Sequence, residues 1–142
     1  MADDDEAGVS TDASQGTALW LGDGACAGGG ASDAAHRYST LTSKALGLVE
    51  ANHAATGVGF ATKPDVGSQV DTASKLGLAG VEYVFLMAGI TDSYDSLGSM
   101  RSATAAAVRA AAKAWPGARV VAGVAPGCLT GLDDTALERM EL

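Results

Sequence analysis

Basic residues are scarce in this chain. Nine Lys and Arg stand against seventeen Asp and Glu, for a formal net charge of −8 and a pI of about 4.4. A nucleic-acid partner is excluded on this count, because phosphate recognition needs a basic face. An anionic membrane surface is disfavoured for the same reason. Long apolar runs are missing too: none approaches the roughly 20 residues of a membrane span. The N-terminus is acidic and lacks the basic-then-apolar order of a signal peptide, so the compartment expected is the cytoplasm. There are two cysteines, Cys26 and Cys128, and two histidines, His36 and His53. Two cysteines are too few for a disulfide framework or a zinc cluster, and the histidines do not stand at metal-ligand spacing. No metal and no cofactor is expected. Aromatic residues make up only 5%, so the core has to be built mainly from Ala, Val and Leu.

What is present suits one packed domain. The chain has 142 residues, 47% of them hydrophobic, and a domain of this size buries roughly 70% of its unfolded surface. Residues 1–16 are rich in Asp, Ser, Gly and Ala without apolar periodicity. With Asp3, Asp4, Asp5, Glu6 and Asp12 they read as a disordered acidic leader, which leaves 17–142 as the domain. Ala18, Leu19, Trp20 and Leu21 form a continuous apolar run ended by Gly22, as in a strand buried on both faces. Apolar positions at helical spacing then predict a helix from 32 or 33 to 50. A short strand over 52–56 and a helix over 66–76 follow. The β-branched and aromatic run 81–88 is the clearest strand. An Ala-rich helix over 97–115 is stopped by Pro116 and Gly117. A fourth strand over 119–125 and a short helix over 133–140 close the chain. Strands alternating with helices predict an α/β domain with a parallel sheet. Right-handed crossovers put the C-terminal ends of all strands on one edge, where ligands bind in such sheets.

Three loops on that edge carry recognisable segments. The first reads Gly22-Asp23-Gly24-Ala25-Cys26-Ala27-Gly28. The second runs from Asn52 through His53, Thr56 and Gly57 to Phe60. The third is Gly89-Ile90-Thr91-Asp92. In this order and on these loops they resemble the first three blocks of the GDSL/SGNH hydrolases: a Gly-Asp-Ser turn, an Asn-to-Gly turn and a Gly-x-Asn-Asp loop. The resemblance covers about 17–126. It implies a three-layer α/β/α fold with a flavodoxin-like sheet in the order 2-1-3-4, the fifth strand missing. It also implies carboxylic-ester hydrolysis through an acyl-serine, with a small acyl or acetyl ester as ligand.

That chemistry needs a nucleophile, donors facing the developing oxyanion, a histidine to move the proton, and an acid to orient it. Matched residue by residue, Gly24 stands at the nucleophile position, where it offers no hydroxyl. Gly57 matches the oxyanion glycine. Thr91 replaces the asparagine, with a shorter side chain that can donate one hydrogen bond and also accept. Asp23, Gly89 and Asp92 complete the motifs as candidate binding positions. The family's Asp-x-x-His block has no counterpart in this sequence. The expectation is a degenerate, catalytically silent domain. Residual activity would need a substitute nucleophile or a histidine from a partner chain.

Other roles compete for several of these residues. Gly28-Gly29-Gly30 suits a flexible loop. Asp92 suits a loop cap. His36 suits a surface or local cap, and His53 a structural place beside the second strand. Cys128 suits small-residue packing, and so does Cys26, although a position leading towards a helix N-terminus can lower a thiol pKa. Gly22-x-Gly24-x-x-x-Gly28 after a strand also allows a nucleotide-binding module. Against it, Asp23 would sit near the pyrophosphate, the helix starts late, and no acid ends the second strand. The apolar Val120, Val121 and Val124 on an uncapped last strand predict self-association, unless Leu132, Leu137 and Met140 fold over that edge.

Overall fold

The computed structural model describes residues 15–92 and 95–124. The helix expected over 133–140, Cys128, and the expected leader up to residue 14 lie outside the described residues. Gln15 and Gly16, assigned to the leader from composition, are tied to the second strand's approach: Gln15 Nε2 donates to Gly47 O at 3.0 Å, and Val49 N donates to Gly16 O at 2.9 Å.

Four parallel strands form one sheet in the order β2-β1-β3-β4, as the alternation and the family resemblance predict. They are β1 (Thr17–Gly22), β2 (Val49–Asn52), β3 (Val81–Met87) and β4 (Arg119–Gly123). Three helices connect them: α1 (Tyr38–Ala45), α2 (Val66–Ser74) and α3 (Leu97–Ala114). β1 runs in register with β3 from Ala18↔Tyr83 to Gly22↔Met87. It is buried on both sides because its side chains alternate between two cores. Leu19 and Leu21 join Val84, Leu86, Val66, Val70, Ala107 and Ala111 beneath α2 and α3. Ala18 and Trp20 join Cys26, Leu48 and Phe85 on the opposite face, the side of α1, where Trp20 Nε1 donates to Ser43 Oγ at 2.9 Å. Among the described residues the three layers are therefore unequal, with two α-helices on one face and one on the other.

The first helix and the second strand differ from the expectation. In place of a helix over 32–50, Asp33 caps a single 3-10 turn, Ala34–His36, and the extended backbone of Arg37 delays α1 until Tyr38. Gly47, at φ +70°, ends the helical path in the left-handed conformation that terminates helices. Leu48 and Val49, whose apolar spacing prolonged the apparent helix, instead lead into β2. That strand is Val49–Asn52, not 52–56. Beyond it His53 N and Ala55 N still donate to Trp20 O and Gly22 O, while Ala54 N turns back to Asn52 Oδ1 at 3.0 Å in the local turn that follows the strand. β1 gains a residue at each end of the run Ala18–Leu21, and α2, β3, α3 and β4 keep their starts and end one or two residues early. Among the described residues β4 pairs only with β3, and Val121 and Val124 are each 41% exposed. Leu132, Leu137 and Met140, which would cover that edge, lie outside the described residues.

Aromatic mass is concentrated on the α1 face. Trp20 is 2% exposed and stacks on Phe85 with centroids 3.9 Å apart. Tyr83 stacks on Phe85 in turn at 5.5 Å. With so few aromatics, this stack is the core of its layer. Trp20→Ala is expected to cost about 3–5 kcal/mol in urea unfolding, the range for large-to-small core truncation. Trp20→Phe, which keeps a ring but leaves Ser43 without its donor, should cost about 1–2 kcal/mol.

Candidate functional site

The three motif loops meet at the C-terminal edge of the sheet, as the parallel topology requires. Backbone bonds tie them together: Asp23 N to Met87 O at 3.0 Å, His53 N to Trp20 O at 2.9 Å, and Ala55 N to Gly22 O at 3.0 Å. Gly22, at φ +147°, could carry no side chain, since a Cβ would meet Met87 O at 1.9 Å. Asn52 joins the first loop to the second turn by donating from Nδ2 to Cys26 O at 2.8 Å and to Ser39 Oγ at 3.0 Å.

Gly24 is partly exposed, and its φ lies outside the left-handed region, so the backbone there would accept a serine. A Cβ at this position would lie 3.1 Å from Thr56 Oγ1. Gly57 occupies a turn closed by Val58 N to Ala55 O at 3.4 Å. Its φ of +85° is the positive value that the third position of a type II turn demands. The amides of Gly24 and Gly57 donate to no group among the described residues. Thr91 is exposed, and its hydroxyl is engaged with Val58 O at 3.4 Å. Gly89, at φ +132°, lies against Val124, and its carbonyl accepts from Asp92 N at 3.1 Å. The structure thus brings Gly24 beside Thr56 and Gly57, and links Thr91 to the same turn through Val58.

Asp92 is fully buried and out of reach of a ligand. Its oxygens accept from the amides of Phe60 (2.5 Å), Ala61 (2.9 Å) and Thr62 (2.7 Å). This is the loop-holding role read for it in the sequence. Asp23 is also buried, at 5% exposure. Its Oδ1 accepts from the amides of Ala25 and Cys26 at 3.1 and 3.2 Å, while its buried Oδ2 has no partner. Burial pushes its carboxyl above the usual aspartate range, the amides of Cys26, Ala25 and Asp23 itself oppose the shift, and the charge of Asp92 adds to it.

Cys26 is completely buried. Desolvation pushes its thiol up to about 12, the reverse of the activation that a helix N-terminus could have supplied. The physical reason is that no α-helix follows the loop until Tyr38, and the loop folds the thiol inward beneath Leu21 O, 3.8 Å away. His36 is exposed, with Nδ1 2.7 Å from Asp33 Oδ1. His53 follows β2 with an exposed ring, and the fold uses its backbone. His53 O accepts from Gln69 Nε2 at 3.3 Å.

Gln69 was not legible in the sequence. Its Oε1 accepts from Gly22 N at 2.7 Å, and its Nε2 donates to Gly22 O at 3.1 Å. One side chain on α2 therefore holds the ends of both β1 and β2. The only sign of this is an uncharged amide beside the buried stripe Val66, Val70 and Ala73. Gln69 also walls a cavity of about 370 Å³, bounded by His53, Ala55, Val58, Ser68 and Leu76. Among the described residues no group of three His, Cys, Asp or Glu could hold a metal ion, and no helix is long and apolar enough to cross a membrane.

No protein-family model matches the sequence, and no curated protein matches it. A solved structure is similar: that of a family two carbohydrate esterase from Clostridium thermocellum in complex with cellohexaose, with a TM-score of 0.65 and 17% identity. The match covers 87% of this chain and 46% of that one, so the chain spans less than half the length of that esterase. The likeness establishes the fold: a parallel α/β sheet of flavodoxin-like order, shared with an esterase.

The unpartnered Asp23 oxygen has a consequence for stability. A carboxyl whose folded pKa is raised binds its proton more tightly when folded, so stability falls as pH rises above the unfolded value, near 3.8. Asp23→Asn removes that dependence. Its stability relative to the parent, measured by urea unfolding, should increase from pH 3.5 towards neutrality. A difference that stays constant with pH would contradict the assignment.

Proposed function

We propose that this chain carries an SGNH-hydrolase-like domain, built for carboxylic-ester chemistry, that holds a small acyl or acetyl ester without turning it over. The observation that carries this reading is the pair of unengaged amides, Gly24 and Gly57, on two loops that the sheet brings together. Backbone N–H groups fixed in place are what a carbonyl oxygen needs as it gains negative charge. The likeness to a carbohydrate esterase supports the same reading at the level of the fold.

The residues present allow binding and stop short of turnover. An ester carbonyl could accept from the Gly24 and Gly57 amides, and Thr91 would add a donor only by releasing Val58 O. Hydrolysis through an acyl-enzyme needs a hydroxyl whose proton is removed as it attacks, and a return of that proton to the leaving alcohol. Position 24 supplies no hydroxyl. No histidine follows His53 in this sequence, so none of these residues stands where the family's proton carrier would. Asp23, at 5% exposure and with Oδ1 held by the Ala25 and Cys26 amides, is turned away from solvent and does not replace that carrier. Because nucleophile and base act as a unit, restoring one recovers little.

The test is turnover of p-nitrophenyl acetate by the purified chain, which should not exceed the buffer rate. Gly24→Ser alone should stay within about tenfold of that rate, since a serine without its base is nearly as poor as none. Adding a C-terminal strand with an Asp-x-x-His segment to Gly24→Ser should gain far more. Thr91→Asn in that background should add about a hundredfold, the usual worth of one good oxyanion donor. Turnover by the native chain that vanishes in Cys26→Ala would overturn this reading in favour of a cysteine nucleophile.

A further inference from the structure

The loop that lacks a serine does not lack a hydroxyl. A Cβ built on Gly24 would lie 3.1 Å from Thr56 Oγ1 and 3.4 Å from Thr56 Cα. The threonine hydroxyl thus borders the space that a side chain at 24 would occupy, reaching it from the second loop. Thr56 is exposed. Its hydroxyl makes no hydrogen bond among the described residues, in contrast to its neighbours on the rim. Thr62 Oγ1 donates to Asp95 Oδ2 at 2.5 Å, and Thr91 Oγ1 donates to Val58 O at 3.4 Å. Of these three rim threonines only Thr56 has its hydroxyl uncommitted. Its chain neighbour Gly57 and the Gly24 that faces it across the loops both carry uncommitted amides.

The position is held rather than loose. Thr56 precedes the positive-φ Gly57 in a turn whose ends are fixed by Val58 N to Ala55 O at 3.4 Å and by Ala55 N to Gly22 O at 3.0 Å. Threonine is stiff about χ1, so the hydroxyl has few places to go. A neutral hydroxyl can donate to an acceptor oxygen without bringing charge, which suits a site already bordered by the carboxyl of Asp23.

We propose that Thr56 supplies the side-chain hydrogen bond of this site. Its hydroxyl donates to the oxygen of a short acyl ligand, a carboxylate or an ester carbonyl, that also accepts from the amides of Gly24 and Gly57. The inference rests on the reading of Gly24 and Gly57 as carbonyl-binding amides. It goes beyond that reading by assigning the contact that replaces the side chain at 24.

The experiment is a titration of the ¹⁵N-labelled full chain with acetate, following the Gly24 and Gly57 amide resonances, for the parent and for Thr56→Ser, Thr56→Val and Thr56→Ala. The parent should show saturable shifts at both glycines. Thr56→Ser, which keeps the hydroxyl, should bind within about twofold of the parent. Thr56→Val and Thr56→Ala should each bind about five- to tenfold more weakly, the loss expected for one hydrogen bond. Two different removals guard against a folding defect in either. Parent-like affinity in Thr56→Val or Thr56→Ala, with both glycines still shifting, would overturn the assignment of Thr56 and leave the reading of the amides intact. So would equal weakening in Thr56→Ser. Absence of saturable shifts at Gly24 and Gly57 in the parent would overturn the reading of the amides, and the Thr56 contact with it.

Discussion

The rim of this domain depends on the burial of the Asp92 carboxylate. A carboxylate fully removed from water is costly unless its oxygens are satisfied. Asp92 meets this condition with three consecutive amides, those of Phe60, Ala61 and Thr62. Those amides belong to the chain leaving the second turn, while Asp92 ends the third loop, so one side chain fastens two of the three motif loops. Phe60, drawn inward by the same contact, is 3% exposed and joins the main core with Val58. Gln69 and Asn52 complete the fastening. The first joins α2 to the ends of β1 and β2, and the second joins the first loop to the second turn. The geometry of Gly24, Thr56 and Gly57 follows from these three polar side chains.

The two buried aspartates of the rim show how environment sets role. Asp92 is surrounded by donors, whereas Asp23 has two amides on one oxygen and none on the other. The first is an anchor. The second carries the cost of burial as a raised pKa and is withdrawn from solvent at 5% exposure. Cys26, packed beneath the same loop, is likewise silenced by burial. Asp23 and Cys26, the reactive side chains of the first loop, are thus withdrawn inward, and Gly24 presents its backbone N–H beside the exposed hydroxyl of Thr56. Such an arrangement favours binding an oxygen acceptor over transferring a proton.

Much of the fold was legible because its strands are locally unambiguous. The run Ala18-Leu19-Trp20-Leu21 and the run around Val84 and Phe85 have the continuous apolarity of strands covered on both faces, and glycine ends each. Parallel order followed from the alternation with helices and from the family resemblance. The second strand was misplaced by three residues because Val49–Asn52 lies at the sheet edge. Val49 there is 50% exposed, so burial imposed no pattern, and Leu48 continued the helical spacing by coincidence. The site was legible where glycines mark tight turns, as at Gly22 and Gly57. It was illegible where a polar side chain reaches a distant backbone. Gln69 bonds to Gly22, 47 residues away, and no local periodicity records such a contact. Thr56 escaped notice for a related reason, since its interest lies in what stands opposite it.

The claim that the Asp92 carboxylate sets the rim can be tested directly by amide hydrogen exchange in the parent and in Asp92→Asn. Asparagine keeps the shape, but it presents an N–H to amides that need an acceptor. The account predicts that Phe60, Ala61 and Thr62 are protected in the parent and exchange at least about tenfold faster in Asp92→Asn, a local opening. The amides of Leu19 and Val84, in the sheet centre, should keep their protection. Unchanged protection at residues 60–62 in Asp92→Asn would contradict it.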